Sequence, residues 1–168
     1  MNTHVKALLT LAVLAVLVIL GITWGWSAMT SPFPHQAKTV TCVTTTLQRG
    51  DRVAAPDVTV SVYNASDRVG LAERTRSAFE DEGFGGGSVG NAPKGTTVFY
   101  AQVWTDDPQD PAVRLVLSRL GPHATTTRHA SRGPGVTVMV GAQFAKLVAG
   151  KSSVKVTRST QVCAPPTQ

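Results

Sequence analysis

The chain has 168 residues, a formal net charge of +6, a sequence pI of about 9.8 and 42% hydrophobic residues, which leaves room for one domain with appendages and excludes two full domains. Residues 5–26 hold 17 of the hydrophobic residues, so the remainder is more polar than an average globular chain. Charge is segregated too: net +3 over residues 1–50, −5 over 51–110 and +8 over 111–168, with no acid in the last stretch, which describes a dipole along the chain and not a uniformly basic nucleic-acid binder.

Ala7 to Trp26 is a run of 20 residues without a charge. At 1.5 Å per residue it spans ~30 Å of hydrocarbon, and Trp24 and Trp26 fall at its outer end, where indoles settle at the headgroup level. The expectation is one transmembrane helix over residues 7–26, with residues 1–6 in the cytoplasm and the rest outside. Lys6 and the amino terminus give the positive-inside orientation. The competing reading is a cleaved signal peptide, whose h-region is ordinarily shorter and whose cleavage site requires small residues that Trp26 would violate.

Residues 27–57, with Pro32, Pro34, Thr39, Thr41, Thr44–Thr46 and Gly50, read as a stalk, part of which can add an edge strand near Cys42. Val58, Val60 and Val62 alternate with Thr59, Ser61 and Tyr63, predicting a strand with one buried face. Asn64–Gly70 turns the chain, and Leu71–Glu82 runs without Pro or Gly, with Leu71, Thr75, Ala78 and Phe79 on one helical face. Gly83 ends that helix, and Phe84 supplies the apolar contact that accompanies such an end. Gly85–Gly87 reads as a flexible loop, followed by a short strand at Ser88–Val89. A second strong strand is predicted over Thr97–Trp104, in a central position.

Asp110 as N-cap, Pro111 at the first helical position, and Val113, Val116, Leu117 and Leu120 at i, i+3, i+4 and i+7 specify a second helix, stopped by Gly121-Pro122. Thr125–His129 and Val136–Val140 read as strands, Gln143–Val148 as a helical turn, and residues 151–168 as a mobile tail apart from Cys163. The expected architecture is a small two-layer α/β (α+β) domain over residues 58–150, a four- to five-stranded sheet with two helices on one face, preceded by the transmembrane helix.

Cys42 and Cys163 lie 121 positions apart and bracket this domain. In an exported protein they suit a disulfide, which in the chain-entropy model closes such a loop for ~4–5 kcal/mol of stability. The alternative is two unrelated free thiols. His4, His35, His123 and His129 are scattered and none stands at ligand spacing from either cysteine, so neither a metal nor a cofactor is expected.

The run Val58-Thr-Val-Ser-Val-Tyr-Asn64-Ala-Ser-Asp-Arg-Val-Gly70-Leu-Ala72, then Gly83-Phe84, Gly90-Asn91-Ala92 and Val136-Thr-Val-Met-Val-Gly141, resembles the LytR C-terminal domain family. The resemblance covers Val58 to about Leu147. It implies a stand-alone module behind a single membrane span in a Gram-positive, especially actinobacterial, envelope. It also implies an accessory role without established chemistry, because the phosphotransferase domain that precedes this module in other members has no room here.

Chemistry is sparse. Gly85, Gly87 and Gly90 satisfy G-x-G-x-x-G but follow a helix and enter a strand, the reverse of a dinucleotide site. The better anion-binding candidate is the Asn64–Gly70 loop, between a strand and a helix N-terminus, with Asn64, Ser66, Arg68 and Gly70 as its residues. Its plainer role is to shape the turn and cap the helix. Asp106, Asp107 and Asp110 form an acidic cluster and read mainly as loop and cap chemistry.

The acid-free C-terminal third offers Arg114, Arg119, Arg128 and Arg132 as a candidate basic surface for anionic wall polymer, lipid headgroups or envelope proteins, against the alternative of a merely solvated face. The expected function is a membrane-anchored extracytoplasmic accessory module that binds or scaffolds wall-assembly components, without enzymatic activity. The second reading is a small envelope enzyme acting on a phosphorylated or glycan substrate through the Asn64–Gly70 loop.

Overall fold

The alternation of Val58, Val60 and Val62 does produce a strand, and the whole sheet is organised around it. The computed structural model describes residues 11–20, 22 and 42–166, and the chain divides into two units, residues 1–39 and 40–168. In the first unit, residues 11–20 are helical (α1) and their side chains are exposed. Among the described residues no helix is long and apolar enough to cross a membrane. Of the expected span, residues 7–10, 21 and 23–26 lie outside the described set, as do residues 1–6 and 27–41.

The second unit contains β1 (Val43–Leu47), β2 (Arg52–Ala54), a 3-10 turn (Ala55–Asp57), β3 (Thr59–Asn64), α2 (Leu71–Asp81), β4 (Gly85–Asn91) and β5 (Ala101–Trp104). It continues through α3 (Pro111–Leu120), β6 (Ala124–Thr127), β7 (Val136–Val140), β8 (Ser153–Lys155) and β9 (Thr160–Ala164). The five-stranded sheet has the order β4-β3-β7-β5-β6. Two β-α-β crossovers, β3-α2-β4 and β5-α3-β6, each make a parallel pair. β7 enters last and fills the gap between them, parallel to β3 and antiparallel to β5.

Both helices lie on one face. Leu71, Ala72 and Phe79 of α2 and Val113, Leu115, Val116 and Leu120 of α3 share one core with Val60, Val62, Val103, Val138 and Val140, as period-3.6 apolar stripes over period-2 strands require. The predicted α3 is reproduced: Asp110 Oδ1 accepts hydrogen bonds from Ala112 N (2.8 Å) and Val113 N (3.3 Å), and Pro111 opens the helix. The end of α2 also follows the prediction. Gly83 sits at φ +87°, its N–H donates to Glu80 O, Phe84 N–H donates to Phe79 O, and the two phenyl rings meet edge to face at 5.3 Å.

Several expectations are corrected. β3 is buried on both faces, because Thr59, Ser61 and Tyr63 lie beneath the loop from 128 to 135: Ser61 Oγ donates to Pro134 O at 2.7 Å and Tyr63 Oη to Arg132 O at 3.0 Å. Gly85–Gly87 is not a flexible loop but the first half of β4. These glycines lie so close to Pro165, to the Arg76–Glu80 ion pair and to Ser61 and the Val60 backbone that a Cβ at any of them would collide, so strand pairing here depends on the missing side chains.

The second strong strand is shorter than predicted, Ala101–Trp104, with Phe99 left 79% exposed. Gln143–Val148 forms no helix; the chain turns there to bury Phe144. The larger corrections are at the ends. Part of the predicted stalk is β1 and β2, and the predicted mobile tail holds β8 and β9. They pair antiparallel as β1-β9 and β2-β8, and Val53, Val154, Val156 and Val162 join the main core. An isolated chain end reads as polar and irregular; two ends that pair with each other satisfy their backbone groups and bury these valines.

Candidate functional site

Asn64 ends β3 and starts a loop that its own side chain organises. Asn64 Oδ1 accepts from Ser66 N (3.0 Å) and Ser66 Oγ (2.8 Å), while Asn64 Nδ2 donates to Arg68 O (2.7 Å). Ser66 Oγ in turn accepts from Arg68 N (3.2 Å). Arg68 Nη1 reaches across to donate to Ala142 O (3.0 Å) and Phe144 O (2.5 Å), behind the end of β7. Gly70, at φ +71°, is the N-cap of α2 and no side chain caps that helix.

The structure therefore brings Asn64, Ser66, Arg68 and Gly70 into one loop, as their spacing suggested. Their polar groups bond mainly to one another and to the turn at 142–144, so the arrangement fastens the start of α2 to the end of β7. Of the plainer sequence reading, Asn64 and Ser66 do shape the turn, but no side chain caps α2.

The four arginines are not gathered into one patch. Arg114 and Arg119 stand on α3, over the helix-bearing face; Arg119 is engaged by Glu82 (2.7 Å) and by Lys151 O (3.3 Å). Arg128 and Arg132 belong to the loop between β6 and β7, and Arg132 lies over the Tyr63 ring at 5.6 Å, on the opposite face. The acidic cluster acts structurally. Asp110 caps α3 and its second oxygen accepts from Thr160 Oγ1 (3.1 Å). Asp107 pairs with Arg158, and the guanidinium, with the Gln109 N–H, holds its carboxyl below the usual carboxylate range.

A site that the sequence reading did not single out lies on the helix-free face. Gln102 and Trp104 alternate onto one side of β5, and Trp104 stands opposite Thr127 in the parallel register with β6. The Trp104 ring stacks on His129 at 4.3 Å between centroids, tilted 21°, and its Nε1 donates to Gln102 Oε1 at 3.0 Å. These residues, with Thr97 and Arg132, line an open cleft of about 620 Å³. The available signal was the i, i+2 spacing of Gln102/Trp104 on β5 and of Thr127/His129 at and just beyond the end of β6, which becomes a cluster only once β5 and β6 are known to be neighbours.

Cys42 and Cys163 form a disulfide, with their Cα atoms 5.2 Å apart. The bond joins the residue just before β1 to β9. Among the described residues no group of three or more His, Cys, Asp or Glu side chains could hold a metal ion.

No curated protein matches the chain. Among solved structures it is similar to the soluble domain of a conserved hypothetical secreted protein from Mycobacterium marinum, with 21% identity and a TM-score of 0.49, covering 62% of this chain and 80% of that one. The family model described as LytR cell envelope-related transcriptional attenuator matches residues 57–144. That match runs from Asp57, the last residue of the 3-10 turn before β3, to the buried Phe144, taking in the complete five-stranded sheet and both of its helices, and the chain belongs to the LytR C-terminal domain family.

Proposed function

We propose that this protein is an extracytoplasmic accessory module of the cell envelope, held to the membrane by residues 7–26 with its amino terminus inside, which binds or scaffolds wall-assembly components. The observation that carries the reading is the Cys42–Cys163 disulfide. It joins the start of the second unit to its last strand, and such bonds persist in oxidising compartments outside the cytoplasm. Membership of an envelope-related family supports the same placement, and the uncharged run from Ala7 to Trp26 supports the anchor. In this reading the functional module runs from Cys42 to Cys163, longer than the sheet alone. Arg114, Arg128 and Arg132, which make no ion pair with a described carboxylate, are its contacts with anionic partners.

Protease treatment of spheroplasts expressing the full chain with a C-terminal epitope tests the placement. The epitope should be lost without lysis, and non-reducing mass spectrometry should recover the Cys42–Cys163 crosslinked peptide. A protected epitope, or two free thiols, would overturn it. The second reading, catalysis at the Asn64–Gly70 loop, gains no observation from a loop whose hydrogen bonds are made within it and to the turn at 142–144.

A further inference from the structure

We propose that the cleft on the helix-free face binds an anionic glycan, a sugar chain bearing phosphate or carboxylate groups; the proposal deepens the envelope reading above and rests on it for where such a ligand is met. The cleft lies beside the last residues of the parallel strands β5 and β6, and its volume of about 620 Å³ is in the range of ligand sites. One wall is the exposed His129 ring, backed by the buried Trp104 on which it stacks. The floor holds the Thr127 hydroxyl and the Gln102 amide, whose oxygen is taken by the Trp104 N–H while no described group bonds its nitrogen.

Arg132 stands at the rim, exposed, with the Tyr63 ring beneath it and no carboxylate beside it. Among the described residues no acidic side chain lines the cleft. A sugar presents apolar C–H surface and hydroxyls together, which the exposed His129 ring, the Thr127 hydroxyl and the Gln102 amide nitrogen complement. A planar guanidinium adds bidentate recognition of a phosphate or carboxylate. An acid-free lining with one free guanidinium therefore selects an anionic over a neutral chain, and the aromatic and hydroxyl lining selects a sugar over a bare polyanion.

The test is calorimetric titration of the full chain in detergent with four probes: oligogalacturonate, a phosphorylated mannan, neutral dextran oligomers and polyphosphate. Binding of either acidic glycan, at least about tenfold tighter than dextran and polyphosphate, is expected, and the two acidic probes tell carboxylate from phosphate. Arg132→Gln and His129→Ala, both at exposed positions, should each weaken it about tenfold with the melting temperature unchanged, and Arg49→Gln, which removes the same charge elsewhere, should leave it unaltered. The proposal is overturned if neither acidic glycan binds, if polyphosphate binds as well as they do, or if Arg49→Gln weakens binding as much as Arg132→Gln. Failure here with the epitope still accessible in spheroplasts would remove the cleft and leave the placement standing.

Discussion

Asn64 illustrates how one side chain sets a local structure that the backbone alone would not hold. Its amide oxygen and nitrogen together make three hydrogen bonds within the loop. Asn64→Ala should therefore lower stability by about 1–3 kcal/mol, measured by urea denaturation, since net worth per bond is near 1 kcal/mol and the site is only partly buried. A fold that loses nothing would show that the loop is held by Arg68 alone. Gly87 is the other informative residue. A Cβ there would overlap the Val60 backbone and the Ser61 hydroxyl, so Gly87→Ala should cost at least about 1–3 kcal/mol and detach β4 from β3, seen as lost amide protection over Gly85–Asn91. The run of three glycines reads as a loop in sequence because glycine has no strand propensity; only the proximity of β3 and Pro165 shows why nothing larger fits.

At the scale of elements, the start of α3 and the loop before it are tied to the C-terminal segment through acids. Asp110→Ala removes two capping bonds and the contact from Thr160. The expected loss is about 1–2 kcal/mol, with fraying confined to the first turn of α3 in hydrogen exchange. Asp107 gives a pH-dependent contribution. Its folded-state pKa is depressed chiefly by the Arg158 hydrogen bond, so its stabilisation is present above the unfolded carboxylate value and fades as pH falls through the folded one. The pair is well exposed, so the effect should be small and screened by salt. An NMR titration in Arg158→Ala should find the Asp107 carboxyl moved up towards its ordinary range; an unmoved titration would contradict the pairing. Of these elements, α3 was legible to the residue from its cap, proline and apolar repeat, whereas β8 and β9 were not, since neither carries a pattern until its partner is opposite.

For the whole molecule, the disulfide and the paired ends decide whether the domain closes. Reduction, or Cys42→Ser with Cys163→Ser, should lower stability by ~4–5 kcal/mol in the chain-entropy model, followed by chemical denaturation with and without reductant. A loss well below 1 kcal/mol would mean that the paired strands hold the ends by themselves. By itself the sequence determined the elements whose pattern is local: the valine alternation of β3 and β7, the capped helix α3, the Gly83-Phe84 end of α2, and with them a two-layer α/β sheet and its family resemblance. It determined the cysteine pair as a candidate as well. Tertiary structure alone decided the insertion of β7 between two crossovers, the pairing of stalk with tail, the closure of the Asn64 loop on itself and on the turn at 142–144, and the meeting of Gln102, Trp104, His129 and Arg132 in one cleft. The physical reason is the same in each case: these features depend on contacts between residues distant in sequence, where a strand's neighbour and a side chain's free or occupied hydrogen bonds are fixed by topology and not by local propensity.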